Sequence, residues 1–172
     1  PSADDCRAEH ALMIRDLLEA GVDHVLIETM CSAREATAAV QVARELAPGR
    51  WSVSFCLDVE GDAGRMMDGT ILRTLLPELH GARFIGVNCV PADRLLGHLM
   101  SFRDDVPPGA DLAAYGNVGR PDPVNGWVNT DAVDPDRYAE YALEWSRAGV
   151  ELIGGCCGTT PETIRSIREL LV

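Results

Sequence analysis

The stretch HVLIETMCSAREATAAVQVAREL, residues 24–46, joins two kinds of hydrophobic pattern at a short polar break. Its first part, HVLIET (24–29), is a short apolar run that is typical of a buried strand. Its second part, SAREATAAVQVAREL (32–46), repeats apolar residues at helical spacing, with Ser32 as a plausible helix cap. A strand followed directly by a helix is the repeating unit of a parallel α/β sheet, so this stretch predicts the fold class.

The same unit recurs along the chain of 172 residues. Further strands are predicted at 51–58, 83–89, 111–117 and 150–157, and helices at 6–20, 69–80, 92–103, 135–148 and from Thr160-Pro161 onward. Such alternation fits either a doubly wound sheet or a barrel, and no glycine-rich nucleotide motif follows a strand. A (β/α)8 barrel takes about 250 residues. We therefore predict an α/β fold of the (β/α)8 TIM-barrel type with only about the last five β/α units present, as one partial barrel domain over residues 1–172 that lacks the amino-terminal strands.

The composition argues against nucleic acid and anionic membranes as binding partners. The formal net charge is −12, so there is no surplus of cationic side chains to neutralise nucleic acid or an anionic membrane. No apolar run approaches the roughly 18 residues of a membrane span, and the first residues lack the charged-then-apolar pattern of a signal peptide, so we expect neither feature. The six cysteines include two within or at the end of strand-like runs, which favours reduced thiols and a cytoplasmic location over a secreted disulfide framework.

Polar side chains end every predicted strand. They are Glu28 and Thr29, Asp58, Asn88 and Cys89, Tyr115 and Asn117, and Cys156 and Cys157. In parallel α/β folds the chemistry collects at the carboxyl ends of the strands, so these groups are candidates for binding a ligand or a metal. The alternative is that strands end in polar residues merely because they emerge into water.

Three of these residues are thiols that could meet on one metal ion. Cys89 ends the third strand, and Cys156 and Cys157 end the fifth, so in a barrel the two strand ends lie about 10 Å apart. Three thiolates suit Zn²⁺, and three protein ligands is the number typical of a catalytic zinc site. The alternatives are a packed cysteine pair without metal, or a redox pair, although the CxxC spacing is absent. Three other cysteines share no motif and are predicted to be ordinary thiols: Cys6, Cys31 and Cys56.

Three motifs together resemble a known family. IETMCSAREA (27–36), IGVNCV (85–90) and IGGCCGTTPETI (153–164) are similar to stretches of the zinc-dependent homocysteine-binding barrels, the homocysteine S-methyltransferase family. The resemblance implies that Cys89, Cys156 and Cys157 ligate Zn²⁺. It also implies that Glu28 binds the amino group of homocysteine and that Asn88 contacts substrate, with no catalytic residue beyond the metal site.

The implied reaction is methyl transfer to the thiol of homocysteine, forming methionine. The residues of the first motif, IETMCSAREA (27–36), favour a small sulfonium donor such as S-methylmethionine or S-adenosylmethionine. The amino-terminal part of the family barrel, with its glycine-rich substrate motif, has no counterpart in these 172 residues. A second hypothesis is therefore a truncated, inactive barrel that needs a complementary amino-terminal part or associates with itself.

Overall fold

The computed structural model describes residues 1–172, and its centre is a sheet of five parallel strands. The elements in chain order are α1 (Ala3–Glu19), β1 (Val25–Met30), α2 (Ala33–Leu46), β2 (Trp51–Phe55), β3 (Phe84–Pro91), α3 (Ala92–Met100), β4 (Asp111–Asn117), β5 (Gly119–Asp122), β6 (Gly126–Asn129), α4 (Pro135–Arg147), β7 (Val150–Gly155) and α5 (Pro161–Leu171). The order of the sheet is β1-β2-β3-β4-β7, so strands adjacent in space follow one another along the chain, apart from the inserted β5–β6 pair. The predicted α/β class with a parallel sheet is confirmed.

The sheet is strongly curved. Side chains of successive strand residues alternate between its two faces, and those facing the helices, such as Val53 and Ile85, are fully buried in the core. On the opposite face the Tyr115 hydroxyl donates a hydrogen bond of 2.6 Å to Ser54 Oγ. These residues belong to β4 and β2, which are separated by β3 and hence by about 9.6 Å. Their contact shows that this face is concave.

Both outer edges of the sheet are free, because β1 and β7 do not pair with each other. Leu26 on β1 and Leu152 on β7 are 39% and 47% exposed. The register places both side chains on the concave face with Ser52 and Ala113. The chain therefore leaves apolar surface uncovered at both ends of a curved, open sheet.

The helices begin at residues that cap them. Ser32 Oγ accepts a hydrogen bond from the Glu35 amide at the start of α2, as predicted, and Thr160 Oγ1 accepts one from the Thr163 amide at the start of α5. Pro161 occupies the first position of α5, where a missing N–H costs nothing. None of these helices is both long enough and apolar enough to span a bilayer.

The helix predicted over 69–80 is wrong. This segment forms two 3₁₀ turns, Leu72–Thr74 and Leu76–Leu79. The apolar spacing that indicated a helix is real, since Leu72, Leu76 and Leu79 are all buried. However, Gly69 adopts a φ of 88° and Pro77 has no N–H for an α-helical hydrogen bond, so the segment folds as short turns.

The long segment predicted as a loop after β4 contains a β-hairpin. Strands β5 and β6 pair antiparallel, and Asp122 Oδ1 closes the turn by accepting hydrogen bonds from the Val124 and Asn125 amides at 2.9 and 2.7 Å. Both strands are mostly exposed, so no hydrophobic alternation marks them in the sequence. The Asn125-Gly126 dipeptide is the signal that could have found the turn.

Candidate metal centre

The three predicted thiols meet at the carboxyl end of the sheet. Cys89 Sγ lies 3.6 Å from Cys157 Sγ, which lies 3.9 Å from Cys156 Sγ, and all three sulfur atoms are within 4.8 Å of one another. All are free thiols. Cys89 lies near the carboxyl end of β3 and the other two directly follow β7, and these two strands flank β4. The sequence thus correctly predicted that these residues converge.

Hydrogen bonds from the end of β4 hold the Cys156-Cys157 turn. The Cys156 amide donates to the Gly116 carbonyl at 2.8 Å, and the Cys157 amide donates to Asn117 Oδ1 at 3.0 Å. The Val118 amide donates to the Cys157 carbonyl at 3.1 Å. Asn117 is buried, so its side chain is a fixed part of this support. Strand β4 therefore positions two of the thiols without contributing one.

The two glycines that precede this turn differ in how much space their neighbours leave. A Cβ on Gly155 would stand 2.5 Å from Thr159 Oγ1, closer than real Cβ atoms come to other atoms. The Thr159 hydroxyl in turn donates to the Cys156 carbonyl at 2.8 Å. At Gly154 an added Cβ would only meet Tyr115 Cβ at an ordinary 3.5 Å. Space thus demands glycine at 155 and not at 154.

Two non-glycine residues at the mouth of the sheet adopt left-handed backbone. Thr29 has a φ of 61° and Cys89 a φ of 57°, each where the pairing register of its strand shifts. Such conformations cost roughly 1–2 kcal/mol for an ordinary residue. The Asn88 side chain links the two sites, because its Nδ2 donates to Thr29 Oγ1 at 2.7 Å. Backbone strain of this kind concentrates at functional sites.

The three thiols lie close together in a partly buried site, an arrangement that favours binding of a cation. Burial raises the pKa of Cys89, and the adjacent Cys157 and Cys156 thiols raise it further. Burial is also the largest cause of the raised pKa of Cys156. A divalent ion would offset the charge of three thiolates, and a set of soft sulfur donors fits Zn²⁺.

Glu28 lies on the concave face of β1, and its side chain is exposed. Burial raises the pKa of Tyr115, its hydrogen bond to Ser54 lowers it, and Glu28 and Cys156 are among the groups that raise it further. Glu28 stands near the carboxyl end of β1, and so at the same end of the parallel sheet as the thiols. Asn88, unlike Glu28, is fully buried. Its Nδ2 donates to Thr29 Oγ1, and its Oδ1 has no hydrogen-bond partner.

Sequence reasoning missed one residue that supports this site. The Tyr138 hydroxyl on α4 accepts from the Gly116 amide at 2.8 Å and lies 2.9 and 3.0 Å from the Gly116 and Gly154 carbonyls. It ties the ends of β4 and β7 together directly before the Cys156-Cys157 turn. A tyrosine in the middle of an amphipathic helix carries no sequence signal for such a role.

A buried histidine anchors the loop after β2. The Gly64 amide donates to His98 Nδ1 at 3.1 Å, so the bond requires a neutral imidazole. Burial lowers the pKa of His98, assisted by Arg94 and opposed by Asp58. Because the folded-state pKa lies below the unfolded value near 6.5, the unfolded chain binds more protons below that pH, and stability falls as the pH decreases.

We expect this histidine to give the free energy of unfolding a pH dependence of up to about 1.4 kcal/mol per pH unit below pH 6.5. Urea unfolding at several pH values measures the slope. The control is His98→Asn, which keeps an acceptor near the position of Nδ1 but does not titrate. A wild-type slope no steeper than that of the variant would contradict the assignment.

Comparisons with known proteins bear on the family of this chain. The sequence model of the homocysteine S-methyltransferase family matches residues 1–171. Homocysteine S-methyltransferase of Escherichia coli K12 is 30% identical over 172 residues, covering 97% of this chain and 54% of that protein. Selenocysteine Se-methyltransferase of Brassica oleracea var. italica is 29% identical, covering 95% of this chain and 47% of that protein.

A solved structure gives the same result. The metallated form of the E. coli homocysteine methyltransferase MmuM superposes with a TM-score of 0.76 at 26% identity, covering 98% of this chain and 52% of that one. The chain spans about half the length of the relatives that it matches. With the family match over nearly every residue, the chain belongs to the homocysteine S-methyltransferase family.

Proposed function

We propose that this chain forms the zinc-binding part of a homocysteine S-methyltransferase, with Cys89, Cys156 and Cys157 as the ligands. The observation that carries the proposal is the convergence of three free thiols within 4.8 Å at the mouth of a parallel sheet. Three protein ligands leave a coordination position for a substrate sulfur. Because free thiols are kept reduced in the cytosol, we propose a cytoplasmic location.

The residues around the thiols suit homocysteine as the methyl acceptor. A bound Zn²⁺ would supply the Lewis acidity that deprotonates a thiol near neutral pH. Glu28 is exposed on the concave face, where its carboxylate can accept a charge-assisted hydrogen bond from the substrate ammonium group. Tyr115 lies on the same concave face, where its hydroxyl donates to Ser54 Oγ at 2.6 Å.

The same charges favour a cationic methyl donor. With Zn²⁺ bound, three thiolates and Glu28 would still leave the mouth with an excess of negative charge, and the whole chain carries a net charge of −12. A sulfonium such as S-methylmethionine or S-adenosylmethionine is drawn to the resulting negative potential. Attack by the acceptor sulfur on the donor methyl group then releases a neutral thioether and forms methionine.

A second candidate function follows from the open sheet. Leu26 and Leu152 are partly exposed on the concave face, and both sheet edges are unpaired. We propose that the chain is about five units of a (β/α)8 barrel, a partial domain over residues 1–172. On this alternative it binds metal but transfers no methyl group until an amino-terminal part completes the barrel.

One assay separates the two functions. Zinc-loaded protein is incubated with homocysteine and either S-methylmethionine or S-adenosylmethionine, and methionine is measured by mass spectrometry. A parallel sample with selenocysteine as acceptor tests selenol methylation. Product from the chain alone supports a methyltransferase, whereas bound zinc without product supports the incomplete barrel.

For an active chain we expect Glu28→Gln to raise KM for homocysteine roughly 10- to 150-fold, because a hydrogen bond to a charged group contributes about 1.5–3 kcal/mol. Steady-state kinetics with homocysteine as the varied substrate measures the effect. The matched control is Glu19→Gln, which neutralises an exposed carboxylate at the end of α1. An unchanged KM in Glu28→Gln would remove this residue from the substrate site.

A further inference from the structure

Two thiols outside the metal cluster also meet at the mouth of the sheet. Cys31 directly follows β1 and Cys56 directly follows β2. The last paired positions of these strands are Met30 and Phe55, and the Cys56 amide donates to the Met30 carbonyl at 3.1 Å. The two cysteines are therefore the next residues along two adjacent, hydrogen-bonded strands.

This placement matches the geometry of a disulfide. Adjacent strands lie about 4.8 Å apart, and the Cα atoms of a disulfide are usually 4.4–6.8 Å apart. Both side chains are half-buried, so a small reagent has access to them.

The backbone around each thiol keeps the pair in place. Cys31 Sγ lies 3.4 Å from the Thr29 carbonyl, and the Met67 amide donates to the Cys31 carbonyl at 3.1 Å. Cys56 Sγ lies 3.7 Å from the carbonyl of Cys89. The pair is thus next to the thiol cluster, while the sixth cysteine, Cys6, is buried on α1.

We infer that Cys31 and Cys56 form a reversible disulfide when the protein meets hydrogen peroxide. One thiol is first oxidised to a sulfenic acid, and the peroxide O–O bond breaks with release of water. The second thiol then attacks the sulfenic sulfur, the S–O bond breaks, and a second water leaves as the S–S bond forms. The two thiols lose two electrons and two protons, and one peroxide is reduced to two waters.

The bond would affect the neighbouring site because Cys56 touches the backbone of Cys89. Cys89 has a strained φ of 57°, and it lies where the pairing register of β3 with β4 shifts, between Asn88 and Pro91. A disulfide at Cys56 would tie β1 and β2 together against this point. The oxidation state of the pair is thereby linked to the position of one thiol of the cluster.

Peptide mapping tests the inference directly. All fifteen basic residues are arginine, so trypsin cuts only after arginine and places Cys31 in peptide 16–34 and Cys56 in peptide 51–65. Folded protein, with and without added Zn²⁺, is treated with a small excess of hydrogen peroxide, alkylated and digested without reductant. We expect a product that joins these two peptides and weighs two hydrogens less than their sum. Dithiothreitol should remove it.

Two variants control the result. Cys31→Ser should abolish the linked product, whereas Cys6→Ser should leave it unchanged. In zinc-loaded wild type two of the six thiols should be lost. Alkylation of both peptides after peroxide treatment, or linkage of 51–65 to 84–94 or 148–165 in place of 16–34, would overturn the inference. The metal-free sample gives this answer whether or not the chain binds zinc.

Discussion

Replacing Cys156 by alanine is expected to reduce bound zinc from about one ion per chain to nearly none. Zinc binding to sites of four protein ligands contributes about 10–16 kcal/mol, or roughly 2.5–4 kcal/mol per ligand, so removing one ligand should cost about that much. That corresponds to an affinity about 10²- to 10³-fold weaker. Elemental analysis after dialysis under reducing conditions, with a chelator competition to obtain the affinity, measures the change.

The chain offers a matched control for this variant. Cys56→Ala removes a half-buried thiol that lies beside Cys89 but outside the cluster, and it should keep a full complement of zinc. Circular dichroism on both variants checks that each remains folded. Equal zinc content in Cys156→Ala and in wild type would show that the cluster is not the metal site.

The second large effect concerns the core behind this site. Trp145 on α4 is fully buried and packs edge-to-face on Tyr138, with ring centroids 5.6 Å apart. Trp145→Ala should lower the free energy of unfolding by about 3–5 kcal/mol, since it removes a large side chain and leaves a cavity. This is a large part of the 5–15 kcal/mol that typically stabilises a domain. Urea unfolding measures the loss.

Trp145→Phe is the informative comparison. The indole Nε1 of Trp145 is buried without a hydrogen-bond partner, a situation that costs about 1–3 kcal/mol. Phenylalanine keeps an aromatic ring against Tyr138 and removes this unpaired donor, so its net cost should stay below about 1.5 kcal/mol. A destabilisation as large as that of alanine would mean that the unpaired N–H is not the liability inferred from the structure.

The sequence predicted those features that depend on local pattern. The alternation of apolar runs predicted the parallel sheet, and the position of Cys89, Cys156 and Cys157 at strand ends predicted their convergence. Both predictions hold because the carboxyl ends of parallel strands meet at one edge of the sheet. The resemblance to the homocysteine S-methyltransferase family is confirmed by the match over residues 1–171.

What the sequence did not predict depends on register and on tertiary hydrogen bonds. Cys31 and Cys56 were expected to be ordinary thiols, and their proximity emerges only once Met30 is known to pair with Phe55. The role of Asn117 as acceptor for the Cys157 amide likewise needs the side-by-side placement of β4 and β7. The helix predicted over 69–80 was wrong for another reason. Leucines at helical spacing can be buried equally well by 3₁₀ turns.

The separation of the thiols along the chain has a consequence for biosynthesis. Cys157 lies 68 residues after Cys89. At roughly 5–20 residues per second, the ribosome needs about 3–14 seconds to add the residues between them. A nascent chain therefore presents Cys89 long before its two partners exist, whereas Cys31 and Cys56 are both already made. On the proposed assignment of these thiols as zinc ligands, metal uptake at the cluster would have to follow translation of β7, so a chain released before that point would lack two of the three ligands.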